Sequence, residues 1–307
     1  MTKVFIDGSA GTTGLRIHER LAAREDIELL TLTEEFRKDE AARREIINKA
    51  DIVYLCLPDD AAKQAVTFVN GNTRVIDTST AHRTDSGFVY GMPELNGLRD
   101  KIKNAQFVAN PGCHASGFIA LIAPLIESGA LDRSARLSCT SITGYSGGGK
   151  KMIAEYETDK GAELYSPRIY ALTQSHKHLP EMVALCKLKN KPIFSPIVDD
   201  YYSGMLLTVP FFASQIKGGL AAVKETYKKK YGNCKFIDVS GIDSNEGAIL
   251  GSNNLSGRDI MQIFVEGNEE RFTVSARYDN LGKGASGAAV ECMNIMLGVD
   301  ETTGLDL

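Results

Sequence analysis

No apolar run in this 307-residue chain approaches the roughly 20 residues that a helical membrane span requires, so no membrane partner is expected. There is no CxxC pair either. The six cysteines fall singly at Cys56, Cys113, Cys139, Cys186, Cys234 and Cys292. With no signal-peptide pattern at the N-terminus, that scatter points to free thiols in a reducing, cytoplasmic setting. An excess of positive charge is also missing. The formal net charge is −4, and the main basic run, Lys228-Lys229-Lys230, closes a polar helical segment. Nothing here resembles a nucleic-acid surface. No internal repeat or low-complexity tract is evident.

What is present is the composition of a globular protein, 43% hydrophobic and 24% charged, with length for roughly two domains. The chain is organised around residues 109–117, ANPGCHASG. The apolar run Phe107, Val108, Ala109 leads into a turn and then an apolar-periodic helix, which places Cys113 at a strand-to-helix corner. The free N–H groups and positive dipole end of a helix start favour the thiolate, the nucleophilic form of cysteine. A small buried hydrophobe is the alternative reading. Phe118, Leu121, Ile122 and Leu125 share one face of that helix, with Gly129 as its stop, while Pro124 implies a kink or an early end.

The first half reads as alternating strands and helices. A β-rich run, Lys3 to Asp7, is followed by Gly8-Ser9-Ala10-Gly11-Thr12-Thr13-Gly14 and a helix through Ile17 and Leu21. Strand, glycine loop and helix in that order make a dinucleotide-binding turn, with GxxGxxG in place of GxGxxG. After a second strand, Glu34 lies where an acid would accept ribose hydroxyls, whereas Arg37 and Lys38 would suit a 2′-phosphate. The local signal is split, and all three could be solvated loop charges. Asp51 to Leu57 is a near-continuous apolar run, as in a strand covered on both faces. A helix opening at Pro58 and a strand at Val75-Ile76 precede the polar loop 77–83, at the strand end where open α/β sheets bind ligands. Within it, Ser79 is a candidate cofactor contact. Arg83 could grip a phosphate or carboxylate, or be a surface arginine.

In the second half strands dominate. Leu137 to Thr143 runs into Gly144-Tyr145-Ser146-Gly147-Gly148-Gly149-Lys150-Lys151, either an anion-accepting loop or a flexible surface hairpin. His176-Lys177-His178-Leu179-Pro180-Glu181 opens a helix, with both histidines on its approach. In an extended segment they would project to the same side. They lack the spaced third and fourth ligands of a zinc site, so no metal is expected, and acid/base chemistry beside a thiol is the other reading. Ser203 to Phe212 is a strand with its pairing restricted at Pro210. A helix over 219–231, a hairpin over 260–278, and a last helix through Ala288 and Ile295 that returns to the first domain complete the reading.

Taken together and in order, GSAGTTG (8–14), YGMPEL (90–95), NPGCHASG (110–117), GYSGGGKK (144–151), HKHLPE (176–181) and NLGKGASGAA (280–289) resemble the N-acetyl-gamma-glutamyl-phosphate reductase family in its shorter form. More distantly, the chain is similar to aspartate-semialdehyde dehydrogenases. The resemblance implies an α/β fold: a Rossmann-type doubly wound parallel sheet plus an α+β catalytic and oligomerisation domain like the C-terminal domain of glyceraldehyde-phosphate dehydrogenase. The expected boundaries are 1–113 with 285–307, and 114–284. It also implies NADP(H) as cofactor, resolving the split at Glu34 and Arg37 towards the phosphate, and a homo-oligomer, dimer or tetramer.

By the same resemblance, Cys113 attacks the acyl phosphate of N-acetyl-γ-glutamyl phosphate, inorganic phosphate leaves, and the thioester is reduced to the semialdehyde, a step of arginine biosynthesis. The resemblance places His176 and His178 both at the site, with His178 favoured as base and His176 as substrate contact and the sequence not separating the two roles; Arg83, Lys150 and Glu181 are candidates for holding substrate, and Asn280 should lie near the nicotinamide. Two rivals stand beside this: a reductase of aspartyl phosphate or carrier-bound aminoadipyl phosphate, and a non-catalytic dinucleotide-sensing protein.

Overall fold

In the computed structural model the described residues are 1–158, 160–242 and 249–307. They divide into two units, residues 1–111 with 285–305 and residues 112–284 with 306–307. The first contains β1 (Thr2–Asp7), β2 (Ile27–Leu30), β3 (Ile52–Leu55), β4 (Arg74–Asp77), β5 (Val89–Tyr90) and β6 (Phe107–Ala109). All pair in parallel, in the order β2-β1-β3-β4-β6-β5.

A parallel sheet needs both faces covered, and the strand period of two supplies side chains to each. Val4, Ile6, Ile52 and Tyr54 pack on one face with Ala289, Val290 and Met293 of the C-terminal helix Gly287–Leu297. Phe5, Val53 and Leu55 pack on the other with Ile46, Ile47 and Ala62. The chain goes outward from β1 to β2 and then crosses to the other side of β1 at β3. This reversal opens the crevice in which doubly wound sheets bind ligands, at the C-terminal ends of β1 and β3.

The second unit holds β7 (Ser138–Gly144), β8 (Arg168–Ile169), β9 (Ile193–Asp199), β10 (Met205–Phe212), β11 (Ile237–Asp238), β12 (Met261–Gly267) and β13 (Arg271–Tyr278) in a mixed sheet ordered β11-β12-β13-β10-β7-β9-β8. Pro210 acts as expected: β10 pairs with β13 along its whole length, but with β7 only from Met205 to Thr208. The helix Cys113–Glu127 packs against β10, β13 and the helices Leu179–Cys186 and Gly219–Tyr231. Its residues from His114 to Ile126 are all buried, as suits a helix apolar around its circumference.

Three local expectations are corrected. The cysteine helix does not end at Pro124 but continues to Glu127, with the left-handed Gly129 just past its cap, where the stop was expected. Proline lacks the N–H that would reach the Ala120 carbonyl, and the Tyr231 hydroxyl donates to that oxygen instead, at 2.9 Å. Residues 144–151 are neither a glycine-lysine loop nor a hairpin. They form a 3-10 turn, Tyr145–Gly148, and the start of the helix Gly149–Glu157. The turn is anchored by the amides of Gly144, Tyr145 and Ser146, which donate to the carbonyls of Gly204, Tyr201 and Tyr202. Finally, His176 and His178 sit in a turn, not an extended segment. The Leu179 amide donates to the His176 carbonyl, and the His178 amide to His176 Nδ1.

Candidate active site

Cys113 is the first residue of its helix and half-buried. The cap residue Gly112 offers no side chain, so the helix start is not closed by a side-chain cap. The first-turn N–H groups and the positive end of the helix dipole therefore lie beside the thiol. The amide of Gly112 itself donates to Glu181 Oε2 at 3.1 Å, with that carboxylate 1% exposed. This bond links the start of the cysteine helix to the first turn of Leu179–Cys186. On another side, the Tyr278 hydroxyl donates to the Cys113 carbonyl at 2.7 Å. A Cβ placed on Gly284 would lie 3.2 Å from the Cys113 Cβ, so that glycine abuts the carbon bearing the thiol.

Three imidazoles converge beside this helix. The ring of His114 lies 5.5 Å from that of His176 and 5.6 Å from that of His178, and the latter two are 4.7 Å apart, edge to face. His114 is 2% exposed. One ring nitrogen meets the Ser141 hydroxyl at 2.8 Å and the other the Tyr170 hydroxyl at 2.7 Å. Burial, then the charges of His176 and Lys177, push its pKa down to about 3. A neutral ring with both nitrogens engaged is a poor proton shuttle and a good scaffold. Tyr170 is pushed well above the ordinary phenol range, first by burial and then by the negative charge of Cys113. His178 is buried at the cap of its helix, and His176 is half-buried.

In the first unit, the loop after β1 lines a cavity of about 250 Å³ with Asp7, Gly8, Ser9 and Ala10, together with Leu30, Leu32 and Arg37. Two of its glycines serve the protein's own packing. Gly8 has φ +90°, and a Cβ there would strike the Cys56 carbonyl; one on Gly14 would come within 2.5 Å of the Gly8 carbonyl. Gly11 differs: its nearest neighbour would be 3.5 Å away. Packing does not demand a glycine there, whereas close approach of a pyrophosphate does. Gly11 is also the uncapped start of the helix Thr12–Ala22, whose first residues are Thr12 and Thr13. These features fit a dinucleotide. Of the split pair, Arg37 lines the cavity while Glu34 does not; they join in an exposed ion pair at 2.8 Å. Lys38 is exposed and outside the lining.

At the end of β4, the Ser79 hydroxyl and amide both donate to the buried Asp77 carboxylate, at 2.7 and 2.9 Å. Arg83 donates to the carbonyls of Asn110 and Thr78, which fixes its guanidinium beside the end of β6. Asn110 donates its amide to the Ala285 carbonyl, and its buried Oδ1 has no partner within the protein, an acceptor suited to a ligand. In the second unit, Asn280 is buried, accepting from the Gly204 amide and donating to the Ser146 hydroxyl. Lys150 is exposed in the first turn of its helix. Among the described residues, no group of three or more His, Cys, Asp or Glu is arranged to hold a metal.

The structure thus brings Cys113, His176, His178 and Glu181 together in one unit, along with residues that motif reading passed over. His114 stood next to Cys113 in the quoted motif. Its neighbours Ser141 and Tyr170, and Tyr278 at the end of β13, carried no local signal.

Comparison with known proteins agrees with this layout. A family model described as the semialdehyde dehydrogenase NAD binding domain matches residues 3–105, and one described as the semialdehyde dehydrogenase dimerisation domain matches residues 113–280. The chain is 44% identical to N-acetyl-gamma-glutamyl-phosphate reductase 2 of Nostoc sp., with 99% of each chain covered. It is 43% identical to the N-acetyl-gamma-glutamyl-phosphate reductase of Brucella suis, covering 96% of this chain and 99% of that one. Among solved structures, aspartate semialdehyde dehydrogenase II of Vibrio cholerae shares the fold with a TM-score of 0.71 at 16% identity, covering 97% of this chain and 98% of that one. The enzyme from Francisella tularensis does so with a TM-score of 0.72 at 14% identity, covering 97% and 100%. With relatives this similar over nearly its whole length, the chain belongs to the N-acetyl-gamma-glutamyl-phosphate reductase family, built on the semialdehyde dehydrogenase fold, and is an oxidoreductase.

Proposed function

We propose that the protein reduces N-acetyl-γ-glutamyl phosphate to N-acetylglutamate 5-semialdehyde through a thioester on Cys113, with NADP(H) as cofactor, in arginine biosynthesis. The observation that carries this reading is a half-buried cysteine at an uncapped helix start, in a unit where three imidazoles gather beside that helix. The helix start stabilises the thiolate. Its sulfur attacks the acyl carbonyl, the bond to the phosphate oxygen breaks, and inorganic phosphate leaves with the electron pair. NADPH, when bound, supplies the hydride that reduces the resulting thioester. His178 protonates the developing alkoxide and then takes the hydroxyl proton back as the carbon–sulfur bond breaks, releasing aldehyde and thiolate. Such general acid/base help is typically worth about 10² to 10⁴ in rate.

His178 is favoured for this role because it caps the helix whose Glu181 holds Gly112. His114 is disfavoured, since it remains neutral down to about pH 3 with both nitrogens engaged. His176, the more open of the neighbouring pair, is the substrate contact. Arg83 and Lys150 are the cations for the substrate's phosphate and carboxylate. Glu181, placed among the substrate contacts by motif, here spends an oxygen on the Gly112 amide, and its proposed role is to hold the two helix starts together. The glycine loop, Ser79 and Asn110 Oδ1 would bind the dinucleotide, with Arg37 beside the 2′-phosphate. Asn280, rigidly held, is proposed near the nicotinamide. The enzyme would act in a reducing, cytoplasmic setting as a homo-oligomer, dimer or tetramer.

The test is turnover of Cys113→Ser with the acyl phosphate and NADPH. Loss of at least about a thousandfold is expected, the scale on which a nucleophile matters; near wild-type turnover overturns the covalent route. Phosphate-dependent NADP reduction by N-acetylglutamate semialdehyde, with the aspartyl and aminoadipyl counterparts assayed alongside, checks the substrate.

A further inference from the structure

Gly117 lies in the first turns of the cysteine helix, where glycine is a poor helix former and its presence needs a reason. The reason is Tyr278. A Cβ on Gly117 would sit 2.6 Å from the Tyr278 hydroxyl oxygen and 2.8 Å from its Cε1. The missing methyl lets the phenol reach the helix backbone. There the hydroxyl accepts from the Gly117 amide at 3.2 Å and donates to the Cys113 carbonyl at 2.7 Å, bridging residues four apart in the helix. Tyr278 is itself wholly buried, at the last position of β13, paired with Met205 of β10 and Met261 of β12. Four residues after it in the chain begins a π turn, Gly282–Ser286, in which Gly284 donates to the Asp279 carbonyl and lies against the Cys113 Cβ.

We propose that Tyr278 is a positioning residue for Cys113: its hydroxyl, admitted by Gly117 and backed by Gly284, sets the first turn of the helix and so the direction in which the sulfur is presented. Burial and the nearby negative charge of Cys113 both oppose ionisation of this phenol, so it remains a donor throughout the working range. The inference rests on the reading of Cys113 as nucleophile. A strained or rotated nucleophile loses rate without losing binding, because a displacement of about 1 Å at the reacting centre can cost about 10²-fold.

The decisive variant is Tyr278→Phe, which keeps the ring and removes only the bridging oxygen. Expected is a fall in kcat of about tenfold or more, with KM for acyl phosphate and NADPH within about twofold of wild type. The pH midpoint for iodoacetamide alkylation of Cys113 should rise, as the first turn loosens around the thiolate. Gly117→Ala leaves the phenol chemically intact but displaces it, and should give the same pattern; it carries the test if the phenylalanine variant does not fold. Wild-type kcat and an unmoved alkylation profile in a variant that merely melts at lower temperature would overturn the proposal. Cys113→Ser separates the two ideas. Its activity alone decides the nucleophile, and an inactive serine variant beside a fully active Tyr278→Phe sinks only the positioning role.

Discussion

Acid should weaken this fold through one histidine. His114 is held with a pKa of about 3 when folded, against 6.5 as its ordinary value. Below pH 6.5 the unfolded chain takes up a proton that the folded one refuses, so stability falls as pH falls and is fully retained only above the ordinary value. One pKa unit is worth about 1.4 kcal/mol, so the full loss below pH 3 approaches about 5 kcal/mol. Between pH 7 and pH 5 the share is about 2 kcal/mol. His114→Gln cannot titrate but can still meet Ser141 and Tyr170. Urea unfolding of both proteins at fixed concentration, at pH 7 and pH 5, isolates the effect, because groups distant from His114 contribute alike to both. The wild type should lose about 2 kcal/mol more than the variant over that interval. Equal losses would mean that His114 is protonated in the folded protein, and the scaffold role assigned to it would fall.

Two further outcomes follow from other contacts. Arg37→Ala should raise KM for NADPH about tenfold or more while leaving NADH use nearly unchanged, since a bidentate guanidinium contact reads the 2′-phosphate alone; steady-state assays with both cofactors check this, and a parallel rise for both would place the phosphate elsewhere. Tyr231→Phe strands the Ala120 carbonyl that Pro124 already leaves unserved, and should cost about 1 to 3 kcal/mol in urea unfolding with kcat unaltered.

The parts of the fold that were legible in the sequence are those whose signal is local. The glycine loop after β1 could be read because a tight turn at a strand end needs those residues wherever the chain goes next. The buried strand β3 could be read because a sheet covered on both faces leaves no polar position. Pro124 is not legible in the same way, because its consequence depends on Tyr231, more than a hundred residues away, which supplies the donor that proline lacks. The turn at His176 and His178 looks extended in sequence because nothing in six residues shows that the His176 ring accepts from the His178 amide. Around Cys113 the pattern repeats. The thiol's corner is visible in NPGC, but Ser141 and Tyr170 reach the neighbouring His114, and Tyr278 the Cys113 carbonyl, from segments far along the chain, where a tyrosine in or beside a strand ordinarily signals only packing.

The placement of the C-terminal helix bears on how this chain is made. Val4, Ile6 and Ile52, all translated early, are covered by Ala289, Val290 and Met293, translated last. Roughly 170 residues separate the two segments of the first unit, and ribosomes add about 5–20 residues per second. For about 9 to 35 seconds on every ribosome, then, an apolar sheet face waits without its cover. Nascent chains should be dependent on holding chaperones in that interval, and a message truncated before codon 285 should yield aggregate rather than a free nucleotide-binding domain.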